Sequence, residues 1–251
     1  MFMKIHRNAL LICIPVVVIV FIFIGQTKQN YVKTKEILPQ FIQADFIDLE
    51  KVASISKFRS GSGHDFSKGS GETCRSMKHY YNLFRPEEIE KWINQNHGLP
   101  PKPDGKTDIL IFSPVDGKIV SIESERTDFG EQIYLRPKAN PDFMVRLFHI
   151  YPLSSMKKGS IVKAGENIGV ISQYQNTDIA IMKNWNTFIS YFEVMPDSLF
   201  MNYQKFGIKN RSEFIISKAE RDANPFECNG EYFTELYDRD PRFENFIFLK
   251  K

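Results

Sequence analysis

Between Ile109 and Ile171 short apolar runs alternate with glycine-containing breaks: Ile109-Leu-Ile-Phe-Ser-Pro-Val-Asp-Gly-Lys-Ile-Val-Ser-Ile122, then Val145-Arg-Leu-Phe-His149-Ile, then Met156-Lys-Lys-Gly-Ser-Ile-Val-Lys-Ala-Gly-Glu-Asn-Ile-Gly-Val-Ile171. Runs of this length closed by Gly and Asp-Gly turns predict short antiparallel strands. The pattern places them at 109–122, 131–136, 143–150, 160–171 and 187–195. Upstream, the stretch from Lys51 to Arg59 alternates in part and enters the glycine-rich Ser60-Gly-Ser-Gly-His-Asp65 as a further strand.

Two regions read as helical. Arg85 to Gly98 has Pro86 in its first turn, Glu87 and Glu88 favouring the N-terminal dipole, and Ile89, Trp92 and Ile93 on one stripe. It lies in a helical insertion spanning about 70–105, which ends in the exposed Leu99-Pro-Pro-Lys-Pro-Asp-Gly105 loop. After Pro196, Asp197 can cap a helix carrying Leu199, Phe200, Tyr203 and Phe206 and stopped by Gly207. Ser212 can cap a second, reaching about Asp222, so residues 196–251 form a helical extension expected to wrap the barrel.

At the other end, Ala9 to Gly25 carries no formal charge. At ~1.5 Å per residue it spans ~25 Å, adequate for a bilayer core. Phe23-Ile-Gly-Gln26 lacks a small-x-small cleavage pattern, so an uncleaved signal anchor is expected ahead of a cleaved signal peptide or a buried helix. Lys4 and Arg7 keep residues 1–8 on the cytoplasmic side. The division is then a spanning segment at 9–25, a juxtamembrane linker at 26–50 and an extracytoplasmic barrel domain at 51–195. The expected location is the cell membrane, crossed once.

That compartment gives the cysteines meaning. Cys13 lies in the apolar run, which leaves Cys74 and Cys228 as an even pair outside the cytoplasm, expected to form a disulfide. Two free thiols are the alternative; metal ligation is disfavoured because neither sits in a CxxC pair. Lys plus Arg number 33 and Asp plus Glu 30, for a net charge of +3, which gives no electrostatic reason to expect nucleic acid.

The order of the three central runs resembles the core of the lysostaphin-type zinc endopeptidases, which show an APxDGxV strand, a YxHL strand and a VkxGdxVkxGqxIGxxG stretch. The resemblance covers roughly 57–195 and is specific from Ile109 to Ile171. It implies a mainly β fold: a small antiparallel hybrid barrel of the lysostaphin or lipoyl kind, built on a duplicated hybrid motif. Lipoyl carriers, phosphatidylserine decarboxylases and sugar-permease phosphocarriers share parts of the pattern. They need, respectively, a correctly spaced Met-Lys hairpin, a Gly-Ser-Thr motif and a His-x-Gly strand, none of which stands here.

In the resembled family zinc is held by the His and Asp of an HxxxD strand and the second His of an HxH strand, while the YxHL His and the first His of HxH handle water. Leu147-Phe-His149-Ile keeps the YxHL histidine, so His149 is the catalytic candidate. Gly61-Ser-Gly-His-Asp65 is the nearest match to HxxxD: Asp65 takes the aspartate position, Gly61 the histidine position, and His64 is a substitute ligand only if the backbone turns. Ile189-Ser-Tyr191-Phe-Glu193 is the nearest match to HLHFE, with both histidines replaced. Arg59, His64, Asp65, His79, Tyr191 and Glu193 are therefore cleft candidates, and Asp65 with His64 the only metal candidates. One carboxylate cannot hold a catalytic zinc, which wants three protein ligands and a water. The expectation is a pseudoenzyme of the cell envelope without a cofactor, binding an envelope polymer or peptide or regulating a partner. The alternative is a zinc hydrolase rebuilt from His64, Asp65 and His149.

Overall fold

The apolar runs become one mainly antiparallel sheet. The computed structural model describes residues 37–84, 102–125, 129–235 and 245–251. The predicted spanning segment and the helix predicted from Arg85 to Gly98 lie outside them; no helix among the described residues is long and apolar enough to cross a membrane.

Two strands organise the sheet, β6 (Phe143–Pro152) and β9 (Thr177–Lys183), paired from Phe143↔Lys183 to Phe148↔Asp178. Beyond β6 come β5 (Glu131–Pro137), β4 (Gly117–Ser124) and β7 (Ile161–Val162); beyond β9 come β2 (His79–Asn82), β1 (Ser54–Ser56) and, at the edge, β13 (Phe246–Phe248). The end of β6 leaves β9 and pairs instead with β8 (Asn167–Ile171), which also pairs β3 (Ile109–Phe112). β10 (Thr187–Ile189) folds back on β9, and a separate hairpin joins β11 (Cys228–Asn229) to β12 (Tyr232–Phe233).

Strand alternation sorts the side chains. Val145, Leu147, Ile179, Ile181, Ile133 and Leu135 point to the main core. The opposite face carries Met144, Arg146, Phe148, Asp178, Ala180 and Met182, with Tyr134 across from Arg146.

Several expectations need correction. The run predicted as one strand over 109–122 is two, parted by the Ser113-Pro-Val-Asp116 turn, and 160–171 is likewise split after Val162. β9 was not expected: every residue from Thr177 to Met182 is buried, so it shows no alternation to read. The strand predicted over 187–195 ends at Ile189 and gives way to a 3-10 helix, Tyr191–Glu193, started by a Ser190/Glu193 capping box. In the predicted helical insertion, the described residues up to Phe84 are turns and strand β2, not helix. Nor do residues 37–50 form a linker, since Phe41, Ile42, Phe46, Ile47 and Leu49 are buried in the main core.

The C-terminal extension holds α1 (Asp197–Gln204), a 3-10 turn at Arg211–Phe214 and α2 (Lys218–Ala223). It enters the core rather than only wrapping it. Phe192 stacks on Phe214 at 3.8 Å between centroids and meets Tyr203 edge-on at 5.1 Å. Cys74 and Cys228 form the expected disulfide, linking positions 154 residues apart with a Cα–Cα distance of 5.6 Å.

Candidate functional site around His149

His149 stands where β6 breaks its pairing with β9. Phe148 still faces Asp178, whereas Tyr151 already faces Val170 of β8. The kink puts His149 at φ 61°, a left-handed conformation that costs a non-glycine residue ~1–2 kcal/mol. Its freed backbone groups are satisfied by side chains: Glu125 Oε1 accepts from His149 N at 3.2 Å, and Gln175 Nε2 donates to His149 O at 2.8 Å. Gly130 allows the approach, since a Cβ there would lie 2.9 Å from the His149 carbonyl carbon.

The imidazole is held between two carboxylates. Nδ1 is ion-paired with Glu125 Oε2, and Nε2 lies 3.5 Å from Asp178 Oδ2. Burial by itself lowers the pKa of His149, but Asp178 and Glu125 outweigh it and raise it to about 9, so the ring is an imidazolium at neutral pH. Asp178 is completely buried, which by itself raises its pKa; Lys78 and His149 bring it down to about 2.

Lys78 completes the group. Its side chain is 1% exposed and Nζ donates to Asp178 Oδ2 at 2.5 Å. Three rings close over the ammonium: Phe148 at 4.3 Å, Tyr80 at 4.7 Å and Phe66 at 5.0 Å from Nζ to centroid. Desolvation opposes the charge on Lys78, but Asp178 more than compensates and the pKa is raised. The result is an alternating chain of charges, Lys78–Asp178–His149–Glu125, sealed except at His149, whose side chain is 27% exposed.

Phe66 arrives from the glycine-rich loop. It packs edge-on to Phe148 at 5.5 Å and tilted on Phe188 at 5.1 Å, and the Arg146 guanidinium lies 5.0 Å from its ring centre. The loop crosses the face closely: Gly63 has φ 72°, and a Cβ there would come within 2.0 Å of the Tyr80 hydroxyl.

The remaining candidates divide. His64 joins the periphery: its backbone N donates to Tyr80 Oη at 3.4 Å and its Nδ1 contacts the Asp65 carbonyl. Burial, then the Lys78 charge, lowers its pKa. Asp65 turns away, because its Oδ1 accepts from Ser67 N, Ser67 Oγ and Arg75 N and so organises its own turn. Arg59 is bonded to Glu72, which also binds Arg75, and this pairing steadies the loop rather than lining a cleft. His79 is wholly buried, with Nδ1 on Ser56 O at 2.7 Å and Nε2 on Ser190 Oγ at 2.8 Å; burial lowers its pKa to about 4. Tyr191 is core, with no exposed surface, and Glu193 accepts from Ser190 N in the capping box. The expectation that Ile189, Tyr191 and Glu193 share one strand face fails because the segment is helical there.

No family model and no curated protein matches the sequence. Among solved structures the chain is similar to lysostaphin (21% identity, TM-score 0.25, 37% of this chain and 46% of that one). It is also similar to a zinc containing peptidase from Vibrio cholerae (12%, TM-score 0.40, 63% and 41%) and to the SpoIIQ-SpoIIIAH pore forming complex (13%, TM-score 0.40, 64% and 97%). The chain thus spans less than half of the first two, 46% and 41%. None of these likenesses assigns a residue; the chemistry here follows from the chain's own side chains.

Among the described residues no group of three or more His, Cys, Asp and Glu side chains gathers as a metal site would require. Sequence reasoning missed Asp178, Glu125 and Phe66. Asp178 did leave a signal: it is the one charged residue at the head of the otherwise apolar Ile179-Ala-Ile-Met182 run.

Proposed function

We propose that the chain is a membrane-anchored, extracytoplasmic, peptidase-like domain that binds an envelope polymer or peptide, or regulates a partner, without cleaving it. The observation that carries this reading is the Lys78–Asp178 pair beside His149. In the resembled pattern the HxxxD and HxH strands supply the ligands of one ion, and the YxHL histidine stands beside it to handle water. Taking β9, beside β6, and β2, beyond β9, as those two strands makes Lys78-x-x-x-Asn82, which leads into β2, the counterpart of HxxxD and Asp178-x-Ala180 the counterpart of HxH. These replace Gly61-to-Asp65 and Ile189-to-Tyr191 as the better correspondence.

The residues at those places do not fit zinc. A lysine ammonium offers three donors and no lone pair, Ala180 offers nothing, and Asn82, which donates through Nδ2 to Ser54 Oγ, puts a neutral amide where the pattern has a carboxylate. An ammonium at bonding distance from the buried Asp178 carboxylate also repels a metal cation. The zinc-hydrolase alternative is less supported, because Asp65 would have to leave three hydrogen bonds to join His64 and His149.

Sedimentation of the full chain, in detergent, with isolated peptidoglycan tests the reading. Co-sedimentation with no release of soluble fragments supports it. Release that stops on adding a chelator would establish the hydrolase instead.

A further inference from the structure

Asp178 is the most deeply buried carboxylate of the site, and its charge has to be met from inside the protein. The His149 imidazolium, 3.5 Å from Asp178 through Nε2, is shared with Glu125 at Nδ1, so the two carboxylates together need a second cation. The four groups Lys78, Asp178, His149 and Glu125 sum to zero charge. Without Lys78 the other three groups would carry a net charge of minus one, with the Arg146 guanidinium a further cation on the Phe66 and Phe148 rings. They would stand next to three aromatic faces that suit an organic ammonium better than a hydrated metal ion. Lys78 directly precedes the His79↔Ile179 pair, and on β9 the residue after Ile179 is Ala180, a small side chain.

We propose that the space between β2, β9 and the kinked end of β6 is a monovalent cation site filled by the protein's own Lys78 ammonium, and that removing this side chain opens it to a small primary ammonium ion. The site takes a charge of one: a divalent ion would leave the group with a net positive charge. This rests on the metal-free reading of the site, but not on which polymer or partner the domain meets.

The test compares thermal melting of the full chain as wild type, as Lys78→Ala and as Lys78→Met/Asp178→Leu, with and without n-propylammonium chloride. Propylammonium replaces the atoms lost beyond Cβ. Lys78→Ala is expected to melt about 10 °C lower, as for one partner removed from a buried pair in a chain of this size. Propylammonium should recover part of the loss with saturating concentration dependence, and tetramethylammonium, which has no N–H, should not. Neither wild type nor the double variant, which lacks the carboxylate, should respond. If Lys78→Ala does not fold, refolding yield takes the place of melting: yield that depends on propylammonium supports the site, and none with it overturns it. An unchanged melting point in Lys78→Ala, an equal response of all three proteins, or a larger rescue by zinc than by propylammonium also overturns it. Failure of peptidoglycan binding would leave this result untouched, so the two proposals fail separately.

Discussion

Two histidines of this chain are set in opposite protonation states by their neighbours, and the pH dependence of stability follows. His79, buried among neutral groups, has its pKa lowered from 6.5 to about 4; His149, between two carboxylates, has it raised from 6.5 to about 9. A lowered histidine is stabilising only while the unfolded chain has not taken up its proton. Its contribution is complete above 6.5 and falls away as pH drops towards 4. A raised histidine does the reverse: its contribution is complete below 6.5 and is lost as pH climbs to about 9. Stability should therefore peak near pH 6.5 and decline on both sides, by at most ~1.4 kcal/mol per pH unit for each group. Asp178, lowered to about 2, adds a further loss at more acid pH. Urea midpoints from pH 4 to 9 check this. His149→Gln should flatten the alkaline limb and His79→Gln the acid one; an alkaline limb that survives His149→Gln would place the titrating group elsewhere.

At the scale of elements, legibility in the sequence followed solvent exposure. The strands 131–137 and 143–152 were readable because apolar runs end in turns that the sequence announces with Gly, Pro, Asn and Asp. β9 and β2 were not, since β9 is covered on both faces and β2, His79-Tyr-Tyr-Asn82, carries a polar composition that its burial contradicts. The candidate site suffered for the same reason. His149 stands out in the sequence through its resemblance to a motif, while β9, which carries Asp178, and β2, which Lys78 immediately precedes, leave no readable pattern. The disulfide was legible because only two cysteines remained to pair. It joins the loop that carries Phe66 to the β11–β12 hairpin, and Asp65 N donates to Glu231 O alongside it. With a sequence separation of 154 between its ends, the chain-entropy model gives it an upper value of ~5 kcal/mol. Cys228→Ser should lower the melting temperature by several degrees in differential scanning calorimetry, and reduction of the wild type should match it. A reduced wild type that melts unchanged would show that the loop is held by its own hydrogen bonds alone.

Across the whole molecule, residues 37–50, the sheet and the C-terminal extension share one apolar core, so the outer face around Lys78 is mounted on a scaffold drawn from most of the described chain. That scaffold holds the four charged groups in contact, with Lys78 Nζ 2.5 Å and His149 Nε2 3.5 Å from Asp178 Oδ2. In the proposed correspondence Lys78 stands where a metal ligand would need a lone pair. Metal analysis of the purified full chain by mass spectrometry, before and after chelation, tests this most directly. The account predicts zinc far below one per chain and melting unchanged by the chelator. Near-stoichiometric zinc that disappears in His149→Ala would contradict it.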